Sequence, residues 1–128
     1  MSGVAVLAAV ALAGCGTSVQ SQVRSTVREF ATAVQHHDLR TLCDHVLAPT
    51  LLADIASGGI TCEHALSLGL AGVRDARLVI GSVSVSGRHA SVVTLSQAAG
   101  EHSVVATLEL IRTAAGWRIA SLGNATGG

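Results

Sequence analysis

Two periodicities divide this chain, and their order restricts the folds open to it more than any other feature. From residue 19 the apolar positions Val19, Val23, Val27, Phe30 and Val34 recur at helical spacing, with Arg24, Arg28 and Glu29 on the other side. Ser18 or Thr17 is placed to cap that helix. The stripe stops at His36-His37-Asp38. Behind it Leu39, Leu42, Cys43, Val46 and Leu47 resume a helical face, with the Asp38 carboxylate placed as its cap. Pro49 suits the first turn of a short helix over 50–55. Ser57-Gly58-Gly59 breaks the chain, and 62–70 carries another short helical segment.

From Leu78 onward the spacing is that of strands. Leu78-Val79-Ile80 and Val83 with Val85 belong to one strand whose parity switches at Gly81-Ser82, which predicts a bulge or bend. Further strands are expected over 89–95, 103–111 and 117–122. The turns between them fall at Ser86-Gly87-Arg88, Ala99-Gly100-Glu101 and Ala114-Ala115-Gly116. In the 103–111 segment Val104, Ala106, Leu108 and Leu110 alternate with Val105, Thr107, Glu109 and Ile111. Helices followed by an antiparallel meander make an α+β fold with the helices packed on one sheet face. Residues 124–128 read as a small, polar, flexible tail.

Composition narrows the partners. Eight Arg balance eight Asp plus Glu, there is no Lys, and only 12% of the 128 residues are charged. Nucleic acid is excluded as a partner, because displacing phosphate counterions needs a basic face. Apolar residues make up 49%, which argues against disorder, yet the aromatics are only Phe30 and Trp117, so recognition by stacking is poorly served.

The first residues read as an address. Residues 4–13 are ten uncharged apolar residues, half of what a membrane-spanning helix needs and the length of a signal-peptide core. The run ends in Leu12-Ala13-Gly14-Cys15, which resembles the processing box of bacterial lipoproteins, although Met1-Ser2-Gly3 lacks the usual basic residues. That resemblance implies cleavage before Cys15 and lipidation of its thiol, with membrane lipid as the anchor's partner at the outer face of the cytoplasmic membrane. Residues 1–14 are then the signal, 15–18 the lipidated Cys and tether, and 19–123 the domain. A tether of Gly16-Thr17-Ser18 spans about 10 Å, so the domain would sit almost on the bilayer.

The mature region resembles the nuclear transport factor 2-like (cystatin-like) superfamily, and within it the small actinobacterial lipoproteins. The matching stretches are His37-Asp38 followed by 39–42, then 87–93, then Gly116-Trp117-Arg118-Ile119, within a span of about 19–123. The resemblance implies N-terminal helices packed on a strongly bent antiparallel sheet, forming a cone that can hold a ligand.

With Cys15 assigned to lipid, Cys43 and Cys62 remain as an even pair in an exported domain, where a disulfide is permitted. Such a bridge is worth about 3 kcal/mol in the chain-entropy model. Two buried free thiols or a Cys/His metal site are the alternatives. No metal is expected from spacing: Cys43 with His45, and Cys62 with His64, have no ligand geometry, and there is no CxxC or HExxH. His36 and His37 point about 100° apart on a helix. His89 and His102 read as solvated strand-end residues, and a His36/His37/His102 group at the mouth of the cone has no motif behind it.

Enzymes of the resembled superfamily place Asp, His or Tyr inside the cone. Here Tyr is absent, and Asp44, Asp54 and Glu63 lie on helical segments. Glu109 is the sole nomination for an acid–base role, and no catalytic residue is assigned. No cofactor is expected. The leading expectation is a non-catalytic membrane-anchored module binding a small apolar ligand or a protein partner. The alternatives are a homodimeric interaction module using the apolar outer sheet face and, last, a cyclase or isomerase.

Overall fold

A computed structural model describes residues 18–123 together with residue 3 and the strand at 126–127. Nearly all of the signal, Cys15 and most of the tether lie outside the described residues, as does part of the tail. Among the described residues no helix is long and apolar enough to cross a membrane.

Helix α1 spans Val19–Gln35, capped by the Ser18 hydroxyl, which accepts the Ser21 N–H. Its stripe delivers Val23 and Val27 to the core, both without solvent exposure, with Phe30 and Val34 packed beside them. The helix ends without glycine. His37 takes a left-handed conformation (φ 52°), its N–H bonds to Val34 O, and the Asp38 N–H reaches back to Ala33 O at 2.8 Å. Those two bonds satisfy carbonyls that a helix end otherwise leaves open. A left-handed residue with a side chain costs conformational energy, and His37 Nε2 donates to Val73 O at 2.9 Å, tying the turn to the approach to the sheet.

Asp38 then starts the next element, as its position in the sequence implies: its carboxylate accepts from the Thr41 N–H and, at 2.7 Å, from the Thr41 hydroxyl. The single α-helical turn α2 (Leu39–Thr41) runs straight into a π-helical turn, Leu42–Val46. The wider turn still buries Leu42, Cys43 and Val46. Helix α3 is Pro49–Ser57, with Pro49 in its first turn, and α4 is Cys62–Gly69, capped by the Thr61 hydroxyl. Neither α3 nor α4 contains a fully buried residue.

Four strands form the meander: β1 Arg77–Ser86, β2 His89–Gln97, β3 Val104–Thr113 and β4 Gly116–Ser121, hydrogen-bonded in that order. The β1–β2 turn is two residues, Gly87 and Arg88, with positive φ at Gly87 alone, the pattern of a type II′ hairpin. The bulge lies where parity predicts it. Ile80 pairs with Thr94 and Val83 with Val92, so Gly81 and Ser82 together oppose Val93. A Cβ on Gly81 would lie 3.1 Å from Val93 O, which is why the close approach falls on glycine. A second bulge, which the alternation does not announce, places an extra β4 residue, Ala120, between Ile119 and Ser121 opposite Leu110 and Glu109. Within the tail segment, Thr126–Gly127 forms a short strand, β5, beside Val104 and Val105.

The inner face of the sheet carries Ala90, Val92, Thr94, Leu108, Leu110, Trp117 and Ile119, all buried against the helices. The buried 47–48 segment seals the far side of β4: Leu47 bridges Ile119 in parallel, and the Ala48 N–H donates to Ile119 O. The outer face keeps Val79 (56% exposed), Val93 and Val105 (40%) in contact with solvent, and Leu122, just past β4, is exposed as well. Both phases of the strands are therefore apolar, as the sequence indicates.

Candidate functional site

Where the C-terminal half of α1 faces the open ends of β1, β2 and β3, the helices and sheet diverge and leave a cavity of about 220 Å³. Its interior is apolar: Phe30 and Val34 from α1, Leu70 and Val73 from the segment after α4, Leu78 from β1 and Val104 from β3. That volume exceeds the roughly 150 Å³ that admits benzene in an apolar core. It falls below the 300–1,000 Å³ of drug-sized sites. A ring or a short aliphatic chain fits; a full lipid acyl chain does not.

The polar groups of the cavity sit at its open end. Arg77, Gln97, Glu101 and His102 are exposed members of its lining, and Ser96 is half-buried. They meet at the strand ends: Arg77 pairs with Gln97 where β1 begins and β2 ends, Leu78 with Ser96 one step inward, and Gln97 Nε2 donates to Ser103 Oγ beside His102. His102 is solvated near a strand end, as the sequence indicates, and its place on this rim is an addition that the sequence does not show. The signal that could have found it is the β2–β3 connection, which returns His102 to the level of Arg77.

The other nominated residues go elsewhere. Glu109 lies on the outer sheet face, where it accepts a hydrogen bond from the Ser91 hydroxyl at 2.7 Å, so its nomination for a role inside the cone is corrected. The three-histidine group does not form: His102 lines the cavity, whereas His36 and His37 cap α1 and do not. Among the described residues no three His, Cys, Asp or Glu side chains gather as metal ligands do. Cys43 and Cys62 are joined in a disulfide, which excludes the free-thiol and metal alternatives for that pair.

Every Asp, Glu and His among the described residues is exposed; Arg24 and Arg118 are half-buried. Thr94 is buried and satisfied by donating to Ala106 O, and the Trp117 indole N–H is buried without a hydrogen-bond partner among the described residues. Asp38 has its pKa lowered, first by the Thr41 hydroxyl and then by the Thr41 N–H, but it is a helix cap far in role from the cavity. A second groove, wider and more polar, runs between α1 and β4 past Glu29, His45, Trp117 and Arg118. Arg118 there donates to Asp44 O.

No protein-family model matches the chain, and no curated protein matches it in sequence. Solved structures do match in shape. One is a Streptomyces avermitilis protein of the NTF2-like family, provisionally named a dehydratase: TM-score 0.63, 22% identity, 86% of this chain and 96% of that one. Another is an NTF2-like protein of unknown function from Shewanella baltica, with TM-score 0.56 and 9% identity over 88% of this chain and 99% of the other. Helices closed over the inner face of a bulged antiparallel meander, shared with both proteins along nearly their whole length, make this the nuclear transport factor 2-like fold.

Proposed function

We propose that this chain is an exported lipoprotein, anchored through Cys15 to the outer face of the cytoplasmic membrane, whose domain binds a small apolar ligand without transforming it. The observation that carries the binding reading is the cavity at the mouth of the fold, apolar within and polar only at its rim. The dehydratase name of the S. avermitilis neighbour is the argument for an enzyme. Against it stands the placement of the acid–base groups: among the described residues no Asp, Glu or His is buried in the cavity interior, and Glu101 and His102 lie on its exposed rim. The lipoprotein part rests on the sequence before Ser18 and on the disulfide, a bond that persists in oxidising compartments.

Native mass spectrometry of the chain purified from an oxidising compartment tests the reading. A retained small adduct, lost when Ala31→Phe narrows the cavity, is the expected result. A ligand-free spectrum that stays unchanged on addition of benzene or hexanoate would overturn it. Membrane fractionation of Cys15→Ser tests the anchor separately: the variant is expected in the soluble fraction.

One observation favours a second reading, a homodimer through the outer sheet face. Val79, Leu95 and Val105 are cross-strand neighbours on that face, with Val93 exposed on it too. An apolar sheet face of this kind is covered by a partner in many proteins. Val105→Asp should then shift the species from dimer to monomer in sedimentation; a species that is monomeric before the substitution removes this reading.

A further inference from the structure

We infer that the ligand of the mouth cavity is a small amphipathic carboxylic acid, its apolar body between Phe30, Val34, Leu78 and Val104 and its carboxylate met by Arg77. This rests on the binding reading above and adds to it the chemistry of the head group. Arg77 lines the cavity yet has no ion pair or side-chain hydrogen bond among the described residues. Its guanidinium is permanently charged, is less strongly hydrated than an ammonium and presents a planar fork that matches a carboxylate in two parallel hydrogen bonds. His102 brings a second ring-nitrogen donor to the same rim. Arg77 and Gln97 are paired where β1 begins and β2 ends, at the open end of the cavity, and the Gln97 amide is held on Ser103 next to His102.

The rim also carries Glu101. Its carboxylate repels a second negative charge on the ligand, so a monoacid fits better than a diacid or a phosphate monoester. The cavity's size limits the body to a ring or a short chain. A neutral alcohol of the same length would gain the apolar contacts and forgo the charged pair. An amine would face Arg77 directly.

Hexanoate, 1-hexanol and hexylamine, titrated into the full oxidised chain and followed by methyl NMR shifts at Val34, Leu78 and Val104, separate these terms. Hexanoate is expected to bind about tenfold or more tightly than either of the others, as a charge-assisted pair implies. Arg77→Gln should erase that advantage and leave 1-hexanol unchanged; Arg77 is exposed, so its loss leaves the core intact. Glu101→Gln should tighten hexanoate further. Equal affinity for all three probes, or preference for hexylamine, overturns the carboxylate inference while the cavity remains a binding site. No shift at the three methyl positions with any probe overturns the binding reading itself.

Discussion

The two ends of the helical half are held by different forces. Helix α1 and the inner sheet face share a core in which Val23, Val27, Val92 and Ile119 have no solvent exposure and Leu110 has 1%. Helices α3 and α4 bury no residue completely; Leu51, Leu52, Ile55 and Leu66 only lean against that core. What fixes this corner is covalent: the Cys43–Cys62 bridge ties α4 to the π-helical turn, which is itself deeply buried. The contrast matters for function because the cavity wall takes from both regimes, with Phe30 and Val34 on the packed side and Leu70 and Val73 just past the clamped helix.

The strongest way to break this comparison is to attack the core. Leu110 pairs with Ala90 on one side and Ile119 on the other and is enclosed by side chains. Leu110→Ala should destabilise by about 2–5 kcal/mol, a large share of the roughly 5–15 kcal/mol available to a domain of this size. Chemical denaturation measures it. Leu66→Ala on α4, half-buried, should cost clearly less; equal losses would mean the corner is as tightly packed as the sheet.

Removing the bridge comes next. Cys43→Ser with Cys62→Ser should cost about 3 kcal/mol in the chain-entropy model for a separation of 19 residues. Hydrogen exchange sharpens the result, since only local opening distinguishes a clamp from general support. Amides in 49–70 should lose protection first while those of β2 and β3 keep theirs. A uniform loss across the sheet would show that the disulfide supports the whole domain. The same double variant should also bind hexanoate more weakly, because Leu70 and Val73 follow closely on the freed helix.

Below that lies the cap of α4. The Thr61 hydroxyl accepts the His64 N–H, one of the first-turn donors that has no partner inside the helix. Thr61→Ala should cost about 1 kcal/mol, read as a melting shift of a few degrees.

The same contrast explains what could be read in advance. Residues that set local geometry were legible: the Val19-to-Val34 stripe, Asp38 and Pro49 at helix starts, the parity switch at Gly81, and Gly87 in its turn. Each acts on its own neighbourhood in sequence, where periodicity and backbone preference operate. The π-helical turn was not legible, because Leu42, Cys43 and Val46 present the same apolar face to either helical form and tertiary packing chooses between them. Nor was the second bulge, since Ile119-Ala120-Ser121 carries no glycine to mark it. The site was least legible of all. Its members come from the end of α1, the segment after α4, and the ends of three strands. Only the folded arrangement of strand ends and the β2–β3 connection brings Arg77 and His102 to one rim. Glu109, on the buried face's opposite phase, looked the better acid until the strand register placed it outside.

The smallest expected effect lies at the junction that both regimes share. Asp38 ends α1 through its backbone N–H and begins the next helix through its carboxylate, and the Thr41 hydroxyl and N–H hold its pKa below the ordinary aspartate value. A carboxylate with a depressed folded-state pKa contributes stability that is fully present above the unfolded value. That contribution is lost as pH falls through the folded one. The unfolded reference is 3.8, so the decline should begin near pH 4 and be complete only at more acidic pH. Asp38→Asn keeps a capping oxygen but cannot titrate, so it should be slightly the less stable protein at neutral pH, and the difference should vanish as pH falls through the folded-state pKa of the parent. Parallel curves for the two proteins between pH 5 and pH 2 would move the acid sensitivity to other carboxylates and leave Asp38 as a cap alone.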